Sequence, residues 1–503
     1  MTSTDDKGKT HSQGPSPGDA ENSERQNRFE RQRQEKLLSI KESGIEPYGT
    51  RFDGAEPAAT VKGRFKDGDE TQRAKCAGRI VLLRDIGKLI FLTLRDRSGT
   101  IQIGLSKKLL GDEASGWPLA KLLELGDIIG AAGQLGKTKT GEITIWADML
   151  CILSKCLCQP PEKFHGLADI DLRYRHRFVD LWANPEVMEL FLRRSAIIAT
   201  IRQILESKGF LEVETPMMQT IAGGAAAKPF TTHHNSLNLD LFLRISPELF
   251  LKRLLVGGME KVFEINRNFR NEGLSRRHNP EFTMLEIYQA YADYNVMMEL
   301  TEEIIFRCAE KHSAEQINFA DMTIDYTRPW RRAGYAELLK EYSGCDIDDI
   351  ESIRAKARQL EIEEADMDDV VVINEVFEAT VEENLIAPTF VVDYPAALCP
   401  LARRKKDNPK LAERFELFIA KMELANAYTE LNDPAEQYEN FLTQLRGQEE
   451  SLTKMDTDYI TALKYGMPPA GGLGIGIDRL VMALTGAASI RDVVLFPLLK
   501  PML

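Results

Sequence analysis

Lys261-Val-Phe-Glu-Ile-Asn-Arg-Asn-Phe-Arg-Asn-Glu272 reads as one strand with two unlike faces. Phe263, Ile265 and Phe269 alternate with Glu264, Asn266, Asn268 and Arg270, and a two-residue period sends successive side chains to opposite sides of a pleated sheet. A loop opens at Glu272-Gly273 and holds Arg276, Arg277 and His278. A second strand follows, in which Phe282, Met284, Glu286 and Tyr288 share one face while Leu285 and Ile287 take the other. Two strands joined by such a loop suit a triphosphate and a base. Guanidinium meets phosphate oxygens in a planar, bidentate way, and Phe282 offers a ring for a purine to stack on. The plain alternative is an ordinary hairpin with a solvated basic loop.

Further along, Arg414 to Asp433 supplies a second hairpin. A turn at Ala420-Lys421 would bring Glu416 near Glu423, and two carboxylates without a basic neighbour suit Mg2+ holding nucleotide phosphates. Asn426, Tyr428 and Glu430 share one face of the returning strand and offer an amide, a hydroxyl and a negative charge, a set that suits an ammonium ligand. Phe415, Leu417, Phe418, Ile419 and Leu424 make the hairpin read as buried, where unpaired acids are costly. Gly471-Gly-Leu-Gly474-Ile-Gly476-Ile-Asp-Arg479 then places glycines where backbone or ligand needs close approach. Arg479 follows at the start of a helix, where the dipole favours anions. The run differs from a dinucleotide G-x-G-x-x-G loop, since the third glycine position falls on Arg479 and no βαβ unit surrounds it.

The first third of the chain reads differently. Ala77–Leu83, Leu89–Leu94, Thr100–Gly104, residues 127–133 and residues 142–146 form five short β-rich runs, with a helical stretch, Leu119–Leu125, between the third and fourth. That order suits a small Greek-key barrel of the OB type, which binds single-stranded nucleic acid on a face of aromatic and polar residues. Ahead of it, residues 23–43 read as a helix in which six Arg and Lys outnumber four Glu. It is either a solvated helix or a basic arm for RNA phosphates. The polar stretch Met1–Asn22 lacks the apolar core of a secretion signal and reads as a disordered tail. The division expected is therefore tail 1–22, arm and lead-in 23–74, barrel 75–158, linker 159–184 around Pro160-Pro161, and an α+β domain 185–503 built on an antiparallel sheet flanked by helices.

Bulk properties bound the partners. The 503 residues carry a net charge of −13, with 43% hydrophobic and 28% charged residues, an ordinary globular mix. Nucleic-acid binding in so acidic a chain requires a local positive surface. Seven cysteines, with Cys151, Cys156 and Cys158 the only close group, read as reduced thiols of a cytoplasmic protein rather than disulfides or a zinc site. No run of eighteen apolar residues occurs, so no membrane span is expected.

Together these segments resemble the three signature motifs of class II aminoacyl-tRNA synthetases. Gly209-Phe-Leu-Glu-Val-Glu-Thr-Pro216 is similar to motif 1, Phe269-Arg270-Asn-Glu272 through His278, Phe282 and Glu286 to motif 2, and Gly474-Ile-Gly-Ile-Asp-Arg479 to motif 3. The resemblance is closest to the lysyl-tRNA synthetase family and runs from about Arg28 to Pro501. It includes Lys163-Phe-His-Gly-Leu167, residues 173–181, residues 223–230, Arg244-Ile-Ser-Pro-Glu-Leu249 and Glu430-Leu-Asn-Asp433. It implies an N-terminal OB-fold that reads the anticodon through Arg84, Phe91, Gln102 and Glu142, followed by a class II catalytic domain. It implies that Arg270 and Arg479 are catalytic and grip the phosphates of ATP. Glu272, His278, Phe282 and Glu416 join them at the nucleotide, and Glu416 and Glu423 hold Mg2+. L-lysine would meet Glu248 and Asn426 at its head, and Glu286, Tyr288, Tyr428 and Glu430 along its side chain, with Glu430 pairing the ε-ammonium. The partners implied are tRNA-Lys, ATP, L-lysine and a second copy of the chain.

Two positions depart from the commonest bacterial pattern. Ala425 stands where glycine is frequent, and Cys399 stands for a usual serine. Alanine at that place is similar to a paralogue that attaches β-lysine to a translation factor, but such paralogues resemble the catalytic half alone. A catalytically dead RNA-binding relative would not need Arg270, Glu416, Glu423 and Arg479. An aspartate pocket, as in aspartyl- or asparaginyl-tRNA synthetases, should present a cation rather than Glu286 and Glu430.

Overall fold

The computed structural model describes residues 17–160, 167–224, 227–312, 316–445 and 455–502, with side chains from Arg28 onward. Most of the expected tail, part of the linker and part of the Gly223–Phe230 segment lie outside them. The chain divides into two compact units, Met1–Gly166 and Leu167–Leu503.

In the first unit β1 (Arg73–Asp85), β2 (Leu89–Asp96), β3 (Gly99–Ser106), β4 (Ile128–Lys137) and β5 (Ile143–Ser154) close into a barrel in the order β1-β2-β3-β5-β4. Period-two alternation sends Ile80, Ile90, Leu92, Leu94, Ile101, Ile103, Ile129 and Ile145 inward, each at most 1% exposed. A bulge between Ile80 and Leu82 lets β1 bend and pair with both β2 and β4. Two helices lie between β3 and β4 where one was expected, a single turn at Lys107–Leu110 and Trp117–Leu122, the latter starting two residues ahead of the stretch expected with Pro118 in its first turn.

The N-terminal helix spans Pro17–Glu42 and so starts ahead of Ser23. Its inner side docks on the barrel. Leu37 and Ile40 are buried, Arg33 donates to the carbonyls of Cys156 at 2.9 Å and Leu125 at 3.0 Å, and Lys36 meets Glu124 at 3.0 Å. Beneath it Lys155 is wholly enclosed, 2.8 Å from Glu124 and 3.0 Å from Asp127.

The second unit contributes β6 (Leu211–Glu212), β7 (Met218–Gln219), β8 (Thr231–His234), β9 (Leu239–Leu243), β10 (Lys261–Phe269), β11 (Glu281–Ala290), β12 (Gln316–Phe319), β13 (Met322–Asp325), β14 (Arg331–Gly334), β15 (Thr389–Val392), β16 (Arg414–Ile419), β17 (Met422–Thr429) and β18 (Ala470–Gly476). Eight of them form one sheet in the order β14-β15-β16-β17-β18-β11-β10-β6. The six central strands are antiparallel, as expected, whereas the edge strands β14 and β6 join in parallel. β6 reaches β10 by way of β7, β8, β9 and the helix Glu248–Val256, and β14 reaches β15 through helices, so each crossover returns the chain in the same direction.

One face of this sheet is apolar. Leu285, Ile287, Phe415, Leu417, Ala427, Leu473 and Ile475 pack there against the helices Pro185–Ser207, Tyr294–His312 and Ile477–Thr485. Asp478 ties the last helix down, accepting from the Thr283 amide at 2.7 Å and meeting Arg194 at 2.7 Å. The opposite, polar face is left to form a site.

Lys155→Met should destabilise the full chain by about 3–5 kcal/mol, because it leaves Asp127 fully buried without its cation, while Glu124 keeps Lys36. Urea denaturation followed by far-UV circular dichroism measures this, and a change under about 1 kcal/mol, as for an exposed pair, would refute the assignment.

Candidate active site and nucleic-acid face

The polar face of the sheet is built in rows. Glu416 lies opposite Asn426, Asn426 opposite Gly474, Gly474 opposite Glu286, and Glu286 opposite Glu264. One row on, Arg414, Tyr428, Gly472 and Tyr288 stand side by side. The glycine strand leaves a trough between the two carboxylate-bearing hairpins. A Cβ on Gly472 would fall 1.8 Å from Glu430 Oε1 and 2.6 Å from the Tyr288 ring. The trough continues into a cavity of about 450 Å3, bordered by Arg270, Glu272, His278, Phe282, Glu416, Glu423, Arg479, Glu248, Glu286, Tyr288, Asn426 and Tyr428. Of the residues expected at the nucleotide, metal and amino-acid sites, Glu430 alone does not border it.

At the arginine end, Arg479 Nη1 donates to the Glu423 carbonyl at 2.8 Å and lies 3.3 Å from its carboxylate. Its Nη2 is 3.0 Å from His278 Nε2. Burial and the Arg479 charge hold the His278 pKa below its ordinary value, so the ring is neutral. Nε2 then accepts from Arg479 and Nδ1–H donates to Ser275 Oγ at 2.8 Å. Arg270 sets its guanidinium 5.1 Å from the centre of the Phe282 ring. The buried Arg270 Nε has no hydrogen-bond partner among the described residues.

The two carboxylates of the second hairpin reach the cavity by a device the period alone does not reveal. Glu423 and Asn426 are three residues apart and would face opposite ways in a regular strand. A bulge opposite Leu417 and Phe418 absorbs one residue and returns both to the site. Ala420 and Lys421 both adopt positive φ, as a tight hairpin turn requires. The expectation of acids without a basic neighbour is corrected here. Arg414 is ion-paired with Glu416 and donates to Asn426 Oδ1 at 3.1 Å, and Arg479 pairs with Glu423. Arg414 shares the polar face with Glu416 because they are two residues apart on β16. Tyr394 adds a hydroxyl, donated to Glu416 at 2.7 Å. Burial raises the Glu416 pKa, Arg414 lowers it and Glu423 raises it again, for a net upward shift. Hard oxygen donors under mutual repulsion are a set a divalent cation fits.

At the opposite end, three carboxylates converge. Tyr428 donates to Glu248 at 2.5 Å and Tyr288 to Glu286 at 3.1 Å. Burial, with Glu248 nearby, pushes the Glu286 carboxyl up to about 8. Glu430 is 1% exposed and ion-paired with Lys252. Lys252 also donates to Glu248 at 2.5 Å and is itself fully enclosed. Sequence reading expected Glu430 to wait for a ligand's ammonium, but an internal ammonium already meets its charge. Lys252 escaped notice because it lies in the apolar helix Glu248–Val256. Its one legible sign is the spacing of four from Glu248, which brings the pair onto one helical face. Ala425 is 2% exposed, and its methyl belongs to the apolar cluster behind the sheet. Cys399 accepts from Arg414 Nη1 at 3.2 Å.

The barrel carries a separate candidate face. Arg84 lies opposite Phe91, Phe91 opposite Gly104, and Gly104 opposite Trp146. Phe91 and Trp146 meet edge to face at 5.8 Å. Gln102, one row away, accepts from Thr144 at 2.7 Å, and Glu142 pairs with Lys62 at 3.3 Å. Trp146 went unnoticed, although its alternation with Ile145 and Ala147 marks it as outward-facing.

Comparison with known proteins agrees with both halves. Residues 169–500 match the family described as tRNA synthetases class II (D, K and N), and residues 74–152 match an OB-fold nucleic acid binding domain. A protein of Carboxydothermus hydrogenoformans called lysine--tRNA ligase is 54% identical, over 93% of this chain and 97% of its own. One of the same name from Pelotomaculum thermopropionicum is 53% identical over 94% and 95%. A third, from Magnetococcus marinus, is 49% identical over 93% and 96%.

Gly472→Ala should abolish lysine binding, because its Cβ would displace Glu430 or close the trough. Isothermal titration with lysine reads this, and wild-type affinity in a variant that melts normally would show that the trough is not the amino-acid subsite.

Proposed function

The chain belongs to the lysine--tRNA ligase family of class II tRNA synthetases, and we propose that its cavity joins lysine to ATP and then passes lysine to tRNA. The observation that carries this reading is the charge of the two ends. Arginines 270 and 479 border one end, and the carboxylates Glu248 and Glu286 border the other.

Lysine enters with its carboxylate toward Arg270 and its α-ammonium toward Glu248 and Asn426. The ε-ammonium reaches Glu286, Tyr288 and Tyr428, with Glu430 supplying negative charge from behind. ATP stacks its base on Phe282, with Glu272 and His278 beside it and its phosphates on Arg270 and Arg479. Glu416 and Glu423 hold Mg2+, which supplies charge compensation to the phosphates when bound. A lysine carboxylate is already a nucleophile, so no general base is needed. It attacks the α-phosphorus, the bond to the bridging oxygen breaks, and pyrophosphate leaves with that electron pair. Fixed guanidinium groups stabilise charge as it shifts. The 3′-terminal ribose hydroxyl then attacks the lysyl carbonyl, releasing AMP. A neutral isostere of lysine would leave buried acid unpaired, which is the physical basis of selection.

Recognition of tRNA-Lys falls to the barrel, through Arg84, Phe91, Trp146, Gln102 and Glu142. Leu211 on the edge strand β6, Met217 just ahead of β7 and Met218 at its start are 54%, 42% and 56% exposed, which supports pairing with a second copy around motif 1. No helix of the described residues is long and apolar enough to cross a membrane. The reading carries with it a cytoplasmic place of work.

Pyrophosphate exchange should proceed with lysine and not with β-lysine or aspartate, and the enzyme should charge tRNA-Lys. Exchange with β-lysine alone, or none, would overturn the reading. The lysine KM should fall as pH rises from 6 toward 8. Glu286, held near 8 when the site is empty, must lose its proton to meet an ammonium that stays charged to about pH 10. A flat profile would remove Glu286 from that role. Phe91→Ala with Trp146→Ala should raise the KM for tRNA-Lys about tenfold or more, given stacking worth about 1–3 kcal/mol per base. Exchange, which needs no tRNA, is the control, and an unchanged tRNA KM would move the RNA surface elsewhere.

A further inference from the structure

Arg194 lies on the helix Pro185–Ser207, behind the sheet, and takes no part in the reaction described above. It nonetheless closes a circuit beneath the nucleotide end of the cavity. Its Nη1 is 2.7 Å from Asp478 Oδ1, and its Nη2 donates to Thr283 Oγ1 at 3.2 Å. Asp478 Oδ2 in turn accepts from the Thr283 amide at 2.7 Å. The ion pair is largely out of water, with the Arg194 side chain 13% and the Asp478 side chain 3% exposed. Thr283 directly follows Phe282, and Asp478 directly precedes Arg479. The ring assigned to the base and the guanidinium assigned to the phosphates are therefore each one residue from this circuit.

The circuit takes over where sheet pairing runs out. β18 ends at Gly476, opposite Met284, so the next amide along β11 has no strand beside it there, and the Asp478 carboxylate accepts from it instead. Asp478 stands in the first turn of the helix Ile477–Thr485, where the dipole favours an anion. Its one ion pair among the described residues is with Arg194. That contact lacks a well-directed hydrogen bond, so it is chiefly ionic, while the directed bonds of both groups go to Thr283.

We propose that Arg194 is a positioning residue for ATP: it neutralises Asp478 and bridges it to Thr283, which holds Phe282 and Arg479 in register and leaves the Arg479 charge free for phosphate. The inference rests on reading this end of the cavity as the ATP site. Without Arg194, Asp478 becomes a buried carboxylate with no counter-ion. An uncompensated negative charge one residue from Arg479 offsets part of the field that Arg479 presents to a triphosphate. Glu248 and Glu286, at the other end of the cavity, take no part in the circuit, so the effect falls on ATP rather than lysine. The competing role for Arg194 is that of a staple, holding its helix to the sheet without bearing on ATP.

Pyrophosphate exchange by the full-length enzyme separates the two, read as KM for ATP, KM for lysine and kcat, with the melting temperature of each variant. Arg194→Met should raise the ATP KM about tenfold, within the coupling seen between contacting residues, and leave the lysine KM within about twofold, as for groups that do not touch. Asp478→Asn should act with the opposite sign. It removes the negative charge while its amide oxygen still accepts from the Thr283 amide, so the ATP KM should stay at or below the wild-type value. The double variant should return to within about threefold of wild type, since a neutral pair restores the charge balance and is close to neutral for folding. A staple predicts otherwise, because breaking it from either side has the same effect. A wild-type ATP KM in Arg194→Met, equal rises in the ATP and lysine KM, or a double variant as impaired as Arg194→Met would each overturn the proposal. If Arg194→Met does not fold, Asp478→Asn decides, and an ATP KM more than about threefold above wild type overturns it. Failure of the wild-type enzyme to exchange with lysine would instead overturn the reading of the site.

Discussion

A carboxylate taken out of water without a partner is among the most costly groups a protein can bury. The catalytic half gathers five carboxylates, of which Glu248, Glu286 and Glu430 are buried, Glu416 is half-buried and Glu423 is partly open to water. Glu248, Glu286 and Glu430 crowd one end of the trough, and Glu416 and Glu423 border its middle. Arginine or lysine meets four of the five, with Lys252 serving both Glu248 and Glu430, Arg414 serving Glu416 and Arg479 serving Glu423. Among the described residues Glu286 has hydroxyl hydrogen-bond partners, Tyr288 and Ser246, and no ion pair. On the function proposed, the substrate's ammonium groups and a divalent cation would complete that charge pattern, and binding and selection would share one physical cause.

The remaining architecture holds those acids in place. A sheet separates its two faces by period alone, and here helices cover the apolar side while the polar side is the site floor. Three side-chain-free positions, Gly472, Gly474 and Gly476, leave the volume the ligand needs between β11 and β17. The bulge in the β16–β17 hairpin then turns Glu423 toward the same trough as Asn426. In the barrel an analogous economy operates, since Gly104 lies between Phe91 and Trp146 and makes room for the indole.

Much of this was legible in the chain itself. Alternation in 261–272 and 282–288 identified β10 and β11 and the sides their residues take. The Ala420-Lys421 turn followed from the hairpin pattern, and the barrel from five short runs with one helix between the third and fourth. What escaped were relations between segments far apart in sequence. Arg414 could be seen beside Glu416, yet its reach to Asn426 and Cys399 depends on strand register. Lys252 sits among Leu249, Phe250, Leu251 and Leu254, where only its spacing of four from Glu248 points to an ion pair and nothing local points to Glu430.

Sequence by itself determined the barrel strands, the two hairpins of the site and the sides most of their residues take, the family, and thereby lysine, ATP and tRNA as the reactants. These depend on period, turn chemistry and residue type, which are local properties of the chain. Tertiary structure alone decided which charges meet. Ion pairing depends on distances of a few ångströms between residues as far apart as Lys252 and Glu430, and those distances exist only once register, bulge and helix packing have been set.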